Sequence, residues 1–187
     1  FIDPNTKLFG ALGHEITEKT TGKILEIKDG KIFSSNVTSI ERSENGTPGE
    51  KNATFQTDQQ TGTIKENTEQ GIFGNYTDTL PTKKQYKVAQ SSEVKTGPAK
   101  LRTVLSGTEV KEYSIEITKI NNNMSQKNKN ILFSITDKAL LDTTGGIVQG
   151  MSGSPIIQDD KIIAVVTHVV VNDPTKGYGI FITNMLE

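Results

Sequence analysis

The sequence contains no cysteine and no tryptophan, and histidine occurs only twice, at His14 and His168. The absence of cysteine excludes disulfide bonds and thiolate metal sites. Two histidines are too few for a multi-histidine metal site. We therefore predict neither a metal ion nor another cofactor.

An excess of charge of one sign is also missing, since 21 Lys and Arg residues face 22 Asp and Glu residues. A net charge of −1 gives no indication of binding to nucleic acid or to an anionic membrane surface. No apolar run reaches the roughly 18 residues that a membrane-spanning helix needs. We expect no direct membrane insertion by this domain, and the start at Phe1, without an initiator Met, suggests a domain taken from a longer protein.

Long apolar patterns of helical period are absent as well, and short strand-like stretches separated by turn signals recur instead. This pattern predicts an all-β barrel or sandwich with one or two short helices. Residues 136–146, "TDKALLDTTGG", are the best helix candidate, with Thr136 or Asp137 as its N-cap. Asp-Gly and Asp-Asp pairs predict hairpin turns at residues 29–30 and 159–160. A length of 187 residues suits one domain, 1–187, with two β-lobes that meet near residues 88–98.

The hexapeptide "GMSGSP", Gly150 to Pro155, raises the question of a nucleophilic serine. Glycines on both sides of Ser152 permit backbone conformations closed to other residues and let a substrate carbonyl approach closely. The N–H groups of Gly150 and Ser152 are then the expected oxyanion-hole donors. Ser154 precedes a proline, which favours an extended conformation. Ser154 is therefore expected to be a hydrogen-bonding residue of the turn. Taken alone, the motif fits a simple turn equally well.

The two histidines are the candidate bases. His14 follows a glycine-rich turn, "FGALGH", early in the chain, which favours it as the general base. His168 ends an apolar strand, 16 residues after the serine, and is the candidate for lining or supporting the substrate pocket. The alternative for each is a structural histidine with its hydrogen bonds satisfied locally.

The acid that would orient the imidazole stays open at this point. Spacing does not decide among the eligible carboxylates, which are Asp58, Asp78, Glu112, Glu116, Asp137 and Asp142. For Asp137 the alternative is a helix N-cap, a common position for aspartate.

Several segments together resemble the SpoIVB family of sporulation serine peptidases. They are "FIDPNTKLFGALGHEI" at the start, "TPGEKNATF", "GTIKENTEQGIFG" and "GPAKLRTVLSGTEVKEYSIEI" in the middle, and "GGIVQGMSGSPIIQDDKIIAVVTHVVVNDPTKGYGIFI" at the end. The resemblance covers nearly the whole chain in order. It implies a chymotrypsin-like double β-barrel, here without the PDZ domain and membrane anchor typical of the family.

By motif, the resemblance assigns His14 as catalytic histidine, Ser152 as nucleophile and Asp137 as the important acid, with His168 also relevant to activity. An acid so close to the serine departs from chymotrypsin-like order, so Asp137 has a role either as the imidazole partner or as support for the pocket or loop. The function implied is that of a signalling peptidase that cleaves itself and a membrane-bound inhibitor of an intramembrane protease, which triggers pro-sigma-K processing. The implied location is the intermembrane space around the forespore, with contact to a membrane-bound regulatory complex through the full-length protein. The alternative is a catalytically inactive, protease-like binding module in spore formation.

Overall fold

The first of two β-sheets is built from the N-terminal part of the chain in a computed structural model that describes all residues, Phe1–Glu187. Its strands are β1 (Leu8–Ala11), β2 (Gly30–Glu41), β3 (Glu50–Thr68) and β4 (Gly71–Tyr76). They pair antiparallel in the order β1-β4-β3-β2. The candidate base His14 therefore follows an edge strand of this sheet.

The second sheet contains the remaining strands. They are β5 (Lys87–Val88), β6 (Gly97–Val104), β7 (Val110–Ile120), β8 (Ile131–Ile135), β9 (Pro155–Gln158), β10 (Lys161–Val169) and β11 (Lys176–Phe181). The order is β11-β8-β7-β6-β9-β10-β5, and an extra pairing of β10 with β11 closes six strands into a barrel. The predicted all-β fold is confirmed.

Two short helices accompany the strands, α1 (Lys138–Thr144) and α2 (Ile182–Met185). Helix α1 lies inside the predicted segment and begins after Asp137, whose side chain caps it. It ends at Gly145, which takes the left-handed conformation typical of a helix C-cap. The loop that leaves this cap leads to Ser152.

The main core fills the barrel and consists of 19 buried residues, among them Phe133 and Val166. A smaller cluster of Val165, Ile180, Ile182 and Met185 packs against Phe73 of the first sheet. Because successive side chains of a strand point to opposite faces, Val166 faces the barrel interior and Val165 faces the first lobe. Strand β10 is thus buried on both faces, which agrees with its continuous run of apolar residues.

The two predicted hairpin turns have different outcomes. Asp159 and Asp160, with φ of 51° and 59°, join β9 to β10, so that prediction is confirmed. The prediction at residues 29–30 is wrong. Strand β2 begins at Gly30 and its partner strand is β3, whereas the preceding segment folds on itself through a bridge between Thr17 and Ile24. The lobe boundary near residues 88–98 stays a prediction.

Candidate active site

His14 is placed by an unusual turn at the end of β1. Leu12 and Gly13 both have positive φ, 69° and 74°. A Cβ atom at position 13 would lie 2.8–2.9 Å from side-chain methyl groups of Val165, Thr167 and Ile180. The turn backbone therefore rests directly on β10 and β11, and only glycine fits between them.

Ser152 lies on the loop between Gly145 and Pro155. Met151, the residue before it, is fully buried and anchors the loop in the barrel core. Gly153, the residue after it, has a φ of 86°, and a Cβ atom there would lie 2.7 Å from the backbone nitrogen of Leu12. The serine loop and the histidine turn thus touch backbone to backbone, which brings their side chains together.

The structure brings His14 and Ser152 within hydrogen-bond distance. His14 Nε2 lies 3.0 Å from Ser152 Oγ, and His14 Nδ1 lies 2.7 Å from the carbonyl oxygen of Glu15. A carbonyl oxygen only accepts hydrogen bonds, so Nδ1 carries the proton in the neutral ring. Nε2 is then the acceptor, and the serine hydroxyl can donate to it.

Two backbone N–H groups of the loop that carries Ser152 donate no hydrogen bond within the protein. Every other residue of the loop from 149 to 154 donates a backbone hydrogen bond within the protein: Gln149 to Gly49, Met151 to Val148, Gly153 to Val166 and Ser154 to Met151. Gly150 and Ser152 donate none. Gly150 has a φ of 98°, a conformation that L side chains rarely adopt. These are the two donors that the sequence predicts for an oxyanion hole.

Asp137 is not brought to the imidazole. Its Oδ1 accepts from the backbone N–H groups of Ala139 and Leu140 at 3.0 and 3.3 Å, and its Oδ2 accepts from that of Ser114 at 3.0 Å. The carboxylate therefore caps α1 and ties it to β7. Of the two roles expected for Asp137, imidazole partner or support for the pocket or loop, its hydrogen bonds fit support. The group at His14 Nδ1 is the backbone carbonyl of Glu15.

His168 lies beside His14 and Ser152 but forms no hydrogen bond with either of them. Its ring centroid is 5.4 Å from that of His14, with an angle of 40° between the planes. Its Nδ1 is buried without a hydrogen-bond partner. Burial, with smaller effects of His14 and Lys129, lowers the pKa of His168 to about 4. His168 is thus a neutral imidazole at pH 7.

Lys51 is a polar group next to the loop that carries Ser152, a position that no pattern in the sequence predicts. Lys51 Nζ donates to Thr103 Oγ1 at 3.1 Å, and Ser154 Oγ lies 3.2 Å from the same oxygen. Lys51 also packs against Gly150, where an added Cβ atom would lie 2.9 Å from its own Cβ. Burial lowers the pKa of Lys51 to about 8. The sequence around Lys51 is polar, and no pattern in it marks this lysine as a neighbour of the serine loop.

A family model described as SpoIVB peptidase S55 matches residues 1–186. The chain belongs to the SpoIVB peptidase family. The resemblance seen in the sequence is confirmed, and membership makes the chain a peptidase of a sporulation-related family. A comparison with curated protein sequences finds no match.

Solved structures similar to this SpoIVB-family chain include two crystal structures of the protease Rv3671c and one of an HtrA-type protease. A serine-to-alanine mutant of Rv3671c from M. tuberculosis H37Rv, in an inactive form, has a TM-score of 0.46 at 13% identity, covering 81% of this chain and 82% of that chain. The inactive form of the Rv3671c protease has a TM-score of 0.47 at 15% identity, covering 81% and 84%. A serine-to-alanine variant of the HtrA-type protease AlgW with a decapeptide has a TM-score of 0.45 at 10% identity, covering 85% and 61%. No helix of the present chain is both long and apolar enough to span a bilayer.

Proposed function

We propose that this SpoIVB-family peptidase is a serine endopeptidase with Ser152 as nucleophile and His14 as general base. The observation that carries the proposal is the 3.0 Å contact between Ser152 Oγ and His14 Nε2. A nucleophile and a base within hydrogen-bond reach, with the base oriented by a third group, are the signature of activated serine catalysis. The third group here is the carbonyl of Glu15, 2.7 Å from Nδ1.

Acylation begins when Ser152 Oγ attacks the scissile carbonyl carbon while its proton moves to His14 Nε2. The carbonyl oxygen becomes an oxyanion, and the free N–H groups of Gly150 and Ser152 are suited to stabilise it. The tetrahedral intermediate collapses with cleavage of the C–N bond, and the departing amine takes the proton from Nε2. Water then attacks the acyl-enzyme carbonyl while His14 Nε2 takes its proton. The ester bond to Ser152 Oγ breaks, Oγ receives the proton from Nε2, and the carboxylic acid product leaves.

The Glu15 carbonyl supplies part of what a triad carboxylate supplies. It fixes the tautomer with the proton on Nδ1, because a carbonyl oxygen has no proton to give. It carries only a dipole rather than a full negative charge, so it stabilises the imidazolium less than a carboxylate would. We therefore propose a serine–histidine dyad with a backbone acceptor.

Asp137 and His168 support this dyad in the proposal. Asp137 holds the start of α1, the helix that leads into the serine loop, through three accepted hydrogen bonds. His168 covers one side of His14 with a neutral ring and stands where a substrate residue before the scissile bond is expected to bind. Neither residue exchanges a proton with Ser152.

The proposed substrates are proteins or peptides, namely the chain itself and a membrane-bound inhibitor of an intramembrane protease. Membership of the SpoIVB family supports this role and its outcome, pro-sigma-K processing. The same membership supports the proposed location, the forespore intermembrane space, and docking to a membrane-bound complex through the full-length protein. The nearly balanced charge gives no reason to add nucleic acid to the partners.

The test is cleavage of an unstructured protein such as casein, with products identified by mass spectrometry. We expect internal peptide bonds to be cut by the wild-type chain and not by Ser152→Ala. Ser154→Ala is the matched control, because it removes a neighbouring hydroxyl whose one hydrogen bond is to Thr103. Turnover that persists in a clean Ser152→Ala preparation contradicts the proposal, and a wild-type chain that cuts nothing favours the inactive binding module.

A further inference from the structure

One peptide group links the imidazole of His14 to a side chain on strand β3. The peptide between Glu15 and Ile16 accepts from His14 Nδ1 through its oxygen at 2.7 Å. The N–H of the same peptide donates to Asn67 Oδ1 at 2.9 Å. Asn67 is therefore the next member of the hydrogen-bonded series that starts at Ser152.

The amide of Asn67 makes two further hydrogen bonds. Its Nδ2 donates to the carbonyl oxygen of Ile16 at 2.8 Å and to that of Leu25 at 2.9 Å. One N–H and two carbonyl groups around the amide define which atom is oxygen and which is nitrogen. Asn67 itself sits on β3 opposite Ile72 of β4, so its backbone is fixed by the sheet.

The segment that follows His14 depends on this single side chain. Residues 15–28 hydrogen-bond among themselves, as in the bonds from Glu18 N–H to Lys23 and from Leu25 N–H to Ile16. Apart from the contact of Glu15 with His14, every hydrogen bond between residues 15–28 and the rest of the protein involves Asn67. Ile16, Ile24 and Leu25 are exposed by 39–41%, so apolar packing holds the segment only weakly.

We infer that Asn67 is a positioning residue of the proposed catalytic pair. It holds the plane of the Glu15–Ile16 peptide, and this peptide in turn holds the imidazole with the proton on Nδ1. Hydrogen bonds in series polarise one another, so the contact with Asn67 also makes the Glu15 oxygen a better acceptor. The inference rests on the proposed function of His14, and its test separates the two.

The test combines a spectroscopic readout with a reaction rate. Nitrogen-15 NMR of the His14 ring, recorded above pH 8 on the Ser152→Ala protein, reports the tautomer without any need for activity. We expect the Nδ1–H form when Asn67 is present and a mixture of both forms in Asn67→Ala. In the otherwise wild-type chain, the rate of labelling by a fluorophosphonate should fall about tenfold or more in Asn67→Ala, because a misplaced base loses part of general-base catalysis.

Two further variants make the result specific. Asn67→Asp keeps the side-chain size and the acceptor for the Ile16 N–H, but it sets a carboxylate against the carbonyl oxygens of Ile16 and Leu25 in place of two donated hydrogen bonds. We therefore expect a loss of the pure Nδ1–H form in Asn67→Asp as well. Asn52→Ala removes an asparagine of the same strand whose side-chain nitrogen donates only to Ser39, and it should leave both readouts unchanged.

An unchanged tautomer in Asn67→Ala overturns the inference, whatever happens to the labelling rate. If Asn67→Ala does not fold, an unchanged tautomer in Asn67→Asp overturns it. If the wild-type chain is not labelled at all, the proposed function fails, and the tautomer measurement still tests the position of His14.

Discussion

His14 Nε2 and Ser152 Oγ lie 3.0 Å apart, although 138 residues separate the two in the chain. His14 follows an edge strand of the first sheet, and Ser152 precedes β9 of the closed barrel. Gly13 and Gly153 allow this meeting, because a side chain at either position would collide with the opposite lobe. The geometry of the proposed dyad thus depends on two glycines that take no part in the reaction.

Gly13→Ala is expected to damage both stability and the site. The added methyl group would press on Val165, Thr167 and Ile180 at 2.8–2.9 Å, and the φ of 74° disfavours alanine. We expect a loss of about 2–5 kcal/mol in the free energy of unfolding, from overpacking and left-handed strain together. Urea unfolding followed by circular dichroism in the Ser152→Ala background measures it, since the chain has no tryptophan.

Gly22→Ala is the matched control for that change. Its φ of 68° is nearly the same, but an added Cβ atom would meet nothing within 4 Å. We expect only the strain cost of about 1–2 kcal/mol. Equal losses at positions 13 and 22 would show that the contact between the lobes is looser than described.

Gly150→Ala tests the proposed oxyanion donors. Alanine disfavours a φ of 98° and would press on Lys51 Cβ at 2.9 Å, so the 150 N–H should turn away from the oxyanion position. Loss of one such donor lowers turnover by about 10²–10³-fold in serine peptidases. Casein cleavage rates compared with Gly46→Ala, which has a φ of 82° and open space around it, separate this effect from strain. Similar rates for the two variants would show that the Gly150 N–H does not stabilise the oxyanion.

Asp137→Asn distinguishes a helix cap from a triad acid. Asparagine caps helices as well as aspartate does, so the bonds to Ala139 and Leu140 persist and only the one from Ser114 is lost. We expect a stability loss of about 1 kcal/mol. Casein turnover should stay within about threefold of wild type, whereas losing the partner of a catalytic imidazole costs about 10⁴-fold. A loss of that larger size would identify Asp137 as a partner of the His14 imidazole.

His168 makes stability depend on pH in the acidic range. Its pKa in the folded protein is about 4 against an ordinary value of 6.5, so the unfolded chain binds the proton first as the pH falls. The free energy of unfolding should decrease from pH 6.5 towards pH 4 and receive no further loss from this group below that. His168→Phe should show a flatter profile over this interval, with both proteins compared in the Ser152→Ala background. Parallel profiles would mean that the ring is not buried as described.

Local patterns in the sequence predicted much of the fold and part of the site. The glycines on both sides of Ser152 predict backbone conformations closed to other residues, and Gly150 and Gly153 have positive φ. The continuous apolar run of β10 corresponds to a strand that is buried on both faces. Asp159-Asp160 formed its hairpin because strands on both sides pair with each other. Asp29-Gly30 did not, because the long strand β3 is the partner of β2 and outweighs the local turn signal.

The partner of the imidazole could not be predicted in this way. The acceptor is a main-chain carbonyl at Glu15, which no residue type reveals, and its support comes from Asn67, 51 residues away from Ile16 in the chain. Lys51 was hidden for the same reason, since its contact with Gly150 arises only when β3 meets the serine loop. Such contacts depend on the packing of the two lobes.

The most direct test of the proposed dyad is the site and rate of fluorophosphonate labelling, followed by intact mass and peptide mapping. We expect one adduct per chain, located at Ser152, and a rate reduced by about 10²-fold or more in His14→Ala, as general-base catalysis requires. Labelling of Ser154 instead, or an equal rate at Ser152 without His14, would contradict the account.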